Sequence, residues 1–423
     1  MGIQDTANTI ALMQAVVSAF LFVAVFTMVV LVSPRNSVAE RYSGAFVLAG
    51  LVCVFQSSLH FWCRKKGWVM LLVTTAWTTY WHALEMLLVS KVCLADIQEL
   101  AAKKTKRHNE PPAAASKSEG GSEPSKDTRS GPGSAWQLAI ITSALLCKWR
   151  RIGTKWQIPR LPRFSPDGSV PSKGAFLFRS LMKITGSYLM LSMFTVAPPP
   201  DPNLIAIERQ PVFSRLDDIS AADVVFRVMS TAVFFINVAL MVTMWYYLVC
   251  VVSVVLGLAG PENCPPFYGS LSNAYTLRGL WRNIHQGLRK CVSGPADAFA
   301  DSALRLPRGT YASRCIRLVL AFGVSAVIHA PADLAIGLSF AGGGQFYFFS
   351  MQAIGIIMES GVQDLWSRTG LHFPRVLQKA FGYLWVISWF CWITPKWSYT
   401  TMRHMDPGKD GIVVPAHVLA WFQ

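Results

Sequence analysis

Long apolar runs broken by short, basic connectors set the pattern of this chain. A membrane-crossing helix needs about 20 predominantly apolar residues. Residues 9–32 meet that length without a charge, and residues 43–62 follow, closed by Arg64, Lys65 and Lys66. Residues 68–89 form a third run with His82 and Glu85 inside it. Residues 136–147 are apolar but too short to span, which predicts a re-entrant or interfacial piece. Another span is expected at 174–196. The run at 224–258, interrupted only by Arg227, predicts one long tilted helix or two spans with a tight break. Beyond a polar connector at 261–313 come runs at 314–340, 345–366 and 380–393, and the terminal "GIVVPAHVLAWFQ" reads as a last, short span. The pattern predicts an all-α, polytopic integral membrane protein with about eight to ten transmembrane helices.

The pattern stops between 103 and 133, where Ser, Gly, Pro, Glu and Lys replace the aliphatics. Such a segment cannot bury enough apolar surface to fold. The expected organisation is therefore N-terminal transmembrane helices at 1–97, a flexible polar loop at 98–134 and a second membrane domain at 135–423.

Composition agrees with a membrane chain. The 423 residues are 52% hydrophobic and only 15% charged, against about a quarter charged in soluble proteins. The net charge of +16 does not point to nucleic acid, because no zinc finger, RNA-binding aromatic motif or long basic helix accompanies it. Basic residues instead flank the spans, where they meet water or anionic lipid. The basic, aromatic segment "KWRRIGTKWQIPRLPRF" reads in the same way, as an interfacial anchor. The nine cysteines include no C-x-x-C pair, so no metal site is expected, and their odd number gives no disulfide framework. The start, "MGIQDTANT", lacks the basic region of a secretory signal and leads into the first span.

Two places carry candidate chemistry. The first is "AYTLRGLWRNIHQGLRK" at 274–290. On a helical wheel of about 100° per residue, Leu277, Leu280, Trp281, Ile284 and Leu288 share one face. Arg278, Arg282 and Arg289 gather on an adjacent stripe, with His285 at the edge. An amphipathic helix of this kind meets lipid headgroups or a phosphate-bearing ligand. In the second case Asn283, His285 and Gln286 add directional hydrogen bonds, and the wheel alone leaves both readings open.

The second place is His329, near the middle of an apolar run. An ionisable side chain at that depth is costly and marks function by default. Asp333 lies one turn on, on the same helical face. Pro331 between them loosens the helix, and Gly323, Ser325 and Ala326 allow close helix approach. A desolvated imidazole stays neutral, as a general base must. No G-x-S-x-G elbow presents a serine nucleophile, so the simplest chemistry is direct transfer, with His329 taking a hydroxyl proton. Glu359, in a later run, is expected to pair with a basic residue.

Four segments in order, "PPFYGSLSNAYTLRGLWRNIHQ", "FGVSAVIHA", "FFSMQAIGIIMES" and "FGYLWVISWFCWITPKW", resemble the wax-synthase-like branch of the membrane-bound O-acyltransferases. They are similar, more narrowly, to fungal members that acetylate terpenoids and meroterpenoids. The resemblance implies a multi-helix membrane fold around a tunnel that meets both substrates, an acyl-CoA and a hydrophobic alcohol. It implies His329 as catalytic base, with Trp281, Asn283 and His285 in the second active-site element. Ile284 stands where members often carry an aromatic, and Ser325-Ala326 where they carry Ser-Gly. On this reading the catalytic residues are His329, Asn283 and His285, and the substrate-binding ones Arg278, Trp281, Arg282, Arg289 and Asp333. Acetyl-CoA serves as cosubstrate, no cofactor is bound tightly, and the expected location is the endoplasmic reticulum. A long-chain wax synthase is the rival within the family. A transporter using His329 and Asp333 as a proton relay is the rival outside it, although the paired broken helices of such folds are not evident.

Overall fold

The computed structural model describes residues 3–109, 134–196, 198–284, 286–340, 342–370 and 373–411, and these contain helices and connecting loops but no strand. Helices α1 (Ile3–Val32), α2 (Val38–Trp62) and α3 (Lys66–Leu84) open the chain. A π turn at Glu85–Val89 extends α3, and α4 (Leu94–Asn109) follows. After the polar segment come α5 (Ala135–Leu146) and α6 (Lys173–Val196), then α7 (Ala221–Val255). Next are α8 (Leu277–Ile284), α9 (Arg289–Ser302) and α10 (Tyr311–Ala335). The chain closes with α11 (Gln345–Arg368), α12 (Arg375–Ile393), α13 (Pro395–His404) and the short α14 (Pro407–Asp410).

Local chemistry fixes many of these ends. Capping boxes of Ser134 with Gln137 and Ser220 with Asp223 start α5 and α7. Thr310 accepts the Ser313 N–H at 3.2 Å to start α10. Gly344 precedes α11 at φ +85°, and a Cβ there would strike the Lys396 carbonyl and the Trp397 backbone. Only glycine therefore suits that corner.

Among the described residues, α1, α2, α7, α10 and α12 are long and apolar enough to cross a membrane. Their outward faces expose large apolar side chains, such as Phe46 at 81% on α2. That surface suits lipid rather than water. The run at 224–258 is one helix, α7, 35 residues long. Its interior Arg227 turns to the carbonyls of Arg209 and Gln210.

One core joins α1 to α5 through Phe26, Leu48, Met86, Ile97 and Leu145. A second joins α8 and α10 to α13 through Leu277, Phe322, Phe348, Phe349, Phe390 and Trp397. Leu59 and Val73 meet Ala332 and Ala335, docking α2 and α3 on α10.

Two expectations need correction. The loop expected from residue 98 is helical as far as Asn109, because the Leu94–Asn109 stretch keeps an amphipathic pattern that its composition hid; residues 110–133 lie outside the described residues. The connector at 261–313 holds α8, where an amphipathic helix was expected, and α9. Two of the arginines of 148–164 do not reach outward, while Arg160 and Arg163 are exposed. Arg150 is 5% exposed and bonds the Pro265 and Pro266 carbonyls, and Arg151 is 1% exposed and paired with Glu85. Their partners are too distant in sequence for local pattern to reveal them. The last expected span falls on residues 412–423, outside the described residues.

Candidate active site

Helix α8 is held at its first turn. Thr276 caps it, its Oγ1 accepting the Gly279 N–H at 2.9 Å. Glu359 of α11 accepts the Leu277 N–H at 2.6 Å. A carboxylate suits the positive end of a helix. So Glu359 meets a backbone donor, where a side-chain cation was expected. Leu277 is fully buried beneath this anchor.

The expected single helix over 274–290 is broken. A 3-10 turn at Gln286–Leu288 follows α8, and Arg289 starts α9. His285, expected at the edge of the arginine stripe, lies outside the described residues. Within α8 itself the two faces agree with the wheel. Leu277, Leu280 and Trp281 face the aromatic core. Arg278, Gly279, Arg282 and Asn283 line the other side, a cleft of about 370 Å³ closed by Asn273, Tyr275 and Thr276. Arg278 also donates to Ser360 Oγ at 3.0 Å. Arg289 is exposed and is not part of the cleft wall, because the break turns it onto the next helix. Asn283 Nδ2 donates to the Ser270 carbonyl at 3.0 Å, tying α8 to the loop before it.

Trp281 links α8 to the intramembrane histidine. Its indole N–H donates to Gln352 Oε1 at 2.9 Å, and its ring lies 6.2 Å from Phe349. Phe349 in turn stacks on the His329 ring, with centroids 5.1 Å apart and planes at 22°. Trp397 meets the same imidazole edge-on at 5.6 Å. His329 is half-buried in this aromatic slot. The two aromatic rings restrict the plane of the imidazole.

Asp333 follows His329 by one turn, as expected, and is 1% exposed. Its Oδ1 lies 3.5 Å from the Trp397 indole nitrogen. Ser325 and Ala326 are buried and allow close packing, whereas Gly323 is exposed. On the opposite side of α10, Pro331 borders a groove of about 620 Å³ that α2 and Trp77 complete. There Gln56 Nε2 donates to the Pro331 carbonyl at 3.1 Å.

Sequence reasoning missed the slot. Phe349 and Trp397 lie in segments that carried the family resemblance, but one aromatic among many gave no separate signal. Gln345 and Gln352, each fully buried, were visible as amides inside an apolar run, a signal that points to the interior of a bundle. Among the described residues no group of three or more His, Cys, Asp or Glu side chains is placed to hold a metal ion.

The described residues thus set an imidazole in an aromatic slot on α10, beside a helix whose outer face carries Arg278 and Arg282. The family model described as "Membrane bound O-acyl transferase family" matches residues 264–351, which run from the loop before α8 through His329 and Phe349. The chain is 31% identical to the acetyltransferase aurG of Calcarisporium arbuscula over 68% of this chain and 70% of that protein. It is 28% identical to the acetyltransferase ataH of Aspergillus terreus over 64% of this chain and 92% of that one. A third relative, the acetyltransferase fsoF of Humicola fuscoatra, is 32% identical over 59% of this chain and 64% of its own length. The chain belongs to the membrane-bound O-acyltransferase family. No solved structure matches it.

Proposed function

We propose that this protein moves an acetyl group from acetyl-CoA to a hydroxyl of a hydrophobic terpenoid or meroterpenoid metabolite. The observation that carries the reading is His329, held between Phe349 and Trp397 on a membrane-spanning helix and linked through Phe349 to α8. The fungal relatives named as acetyltransferases support acetyl as the group transferred.

In this mechanism the acceptor oxygen attacks the thioester carbonyl while its proton passes to His329. The tetrahedral intermediate collapses, the carbon–sulfur bond breaks, and the CoA thiolate takes the proton back. Arg278 and Arg282 offer guanidinium groups to the CoA phosphates in the α8 cleft, bidentate pairing being their usual mode. Arg289 extends the basic surface at the start of α9. Asn283 or His285 donates to the developing oxyanion, a contribution of about 3 kcal/mol for one such donor. Trp281 stands between the cleft-lining face of α8 and Phe349 of the slot. The acyltransferase domain is taken as 135–423. The long helices α3, α6 and α11, added to the five most apolar ones, bring the spans to about eight. The expected membrane is the endoplasmic reticulum.

Microsomes carrying the protein, supplied with acetyl-CoA and a terpenoid alcohol, should form the acetate ester and free CoA in equal amounts. Palmitoyl-CoA should serve poorly. Preference for palmitoyl-CoA would make the protein a wax-type synthase. Proton-coupled uptake into vesicles with no acyl-CoA requirement would overturn the enzyme reading altogether.

A further inference from the structure

The aromatic slot rests on a polar layer one helical turn beneath it. On α10, His329 belongs to the slot and Asp333 to the layer below. On α11, Phe349 belongs to the slot and Gln345, one turn earlier, to the same layer. Trp397 spans both levels: its ring meets the imidazole at 5.6 Å, and its Nε1 reaches Asp333 Oδ1 at 3.5 Å. The layer is sealed, since Asp333 is 1% exposed and Gln345 fully buried. Asp333 Oδ2 and both amide atoms of Gln345 have no hydrogen-bond partner among the described residues. All three converge on one point, because a Cβ placed on Gly343 would overlap each of them. Buried polar groups are normally satisfied, and exceptions call for an explanation. No ion pair reaches Asp333 among the described residues, so ordinary salt-bridge anchoring does not supply one.

The layer also lies beside the weakest turn of α10. Pro331 has no N–H to offer the Val327 carbonyl, so this turn lacks a helical hydrogen bond. The turn is held from both sides instead. Gln56 grips the Pro331 carbonyl from α2 and is itself gripped by Trp77 Nε1 at 2.8 Å. Asp333 grips Trp397 from the other side.

We propose that Asp333, acting through Trp397 and backed by Gln345, is a positioning residue that fixes the plane and depth of the His329 ring. It rests on the reading of His329 as the base, but assigns Asp333 no contact with either substrate. The role requires a hydrogen-bond acceptor at 333 and an indole N–H at 397. A group held about 1 Å out of place in an active site can lose about 100-fold in rate.

The test uses full-length protein in microsomes with acetyl-CoA and geranylgeraniol as probe substrates. Asp333→Leu, Asp333→Asn, Trp397→Phe and His329→Ala are compared for kcat, both KM values and thermal midpoint. Asp333→Leu should lose between about 10- and 100-fold in kcat with both KM values unchanged. Asp333→Asn, which keeps an acceptor oxygen, should restore kcat to within a few-fold of the parent. Trp397→Phe keeps a ring but not the N–H, and should lose kcat by several-fold; it decides the matter if Asp333→Leu does not fold. Full kcat in Trp397→Phe, or in folded Asp333→Leu, overturns the proposal. So does an Asp333→Asn variant as poor as Asp333→Leu, or an acceptor KM that rises while kcat holds. A His329→Ala variant that keeps turnover sinks the base reading itself, a result separable from all of these.

Discussion

Glu85 and Asp333 are both carboxylates 1% exposed in a helical bundle, yet their surroundings are opposite. Glu85 pairs with Arg151 and accepts from Ser90 Oγ at 2.8 Å. Nearby, Arg41 bonds the carbonyls of Ser33, Pro34, Leu87 and Val92. Asp96 gathers Arg35, Lys155 and the Cys93 N–H. The buried charges among α1 to α5 and the 148–158 segment are thus matched by charge or by several hydrogen bonds. Among the described residues the Asp333 side chain has one indole N–H at the edge of bonding distance, and the Gln345 amide beside it has no hydrogen-bond partner. Of the Arg151 guanidinium, Nε alone is left without a partner among the described residues, and a network in which each charge is so matched is one whose work is to hold shape. An unsatisfied one, next to the histidine proposed as base, is what the proposed positioning role would require.

The largest effect that would sharpen this contrast comes from Arg151→Leu. Breaking a buried pair by removing one partner leaves an unpaired charge, at a cost of about 3–5 kcal/mol. The thermal midpoint of detergent-solubilised protein should fall steeply, while the fraction that remains folded keeps its KM values. An unchanged midpoint would mean that the N-terminal network is not what holds this half together.

Arg278→Ala and Arg282→Ala should act the other way. On the proposed reading each removes a charge-assisted contact to the CoA phosphates, worth about 1.5–3 kcal/mol, so the KM for acetyl-CoA should rise roughly ten-fold or more with little change in the midpoint. Arg289→Ala, outside the cleft, should do less. Equal effects from all three would mean that the basic surface acts as a diffuse field and the cleft is not a binding site.

The smallest effect is on acid stability. Burial opposes ionisation of Asp96, but the bonds from Lys155, the Cys93 N–H and Arg35 outweigh it and hold the carboxyl below its ordinary range. A carboxyl depressed in the folded state contributes stability above its unfolded value, about 3.9, and loses it as pH falls through the folded value. Stability should therefore decline below about pH 4, and Asp96→Asn should flatten that decline. A decline of the same slope in both proteins would place the acid-sensitive group elsewhere.

Much of this could be read along the chain. Apolar runs marked α1, α2, α7 and α10 to within a few residues, because span length is a local property. The one-turn spacing of His329 and Asp333 was equally local. What escaped was long-range. The wheel drawn over 274–290 assumed one continuous helix, and the turn at Gln286–Leu288 put Arg289 on another. Arg150 and Arg151 read as an interfacial anchor because their partners, the Pro265 and Pro266 carbonyls and Glu85, lie far off in sequence. Glu359 was sensed as paired, but a backbone N–H leaves no trace in composition. Trp397, 64 residues beyond Asp333, could be tied to His329 only by the fold.

The most direct test of the central claim is the rate of acetyl transfer by His329→Ala, measured alongside its thermal midpoint. General-base catalysis contributes about 100- to 10,000-fold. The predicted result is a loss of kcat within that range, with a midpoint and an acetyl-CoA KM close to those of the parent. Near-parental turnover from folded, membrane-inserted His329→Ala would contradict the assignment.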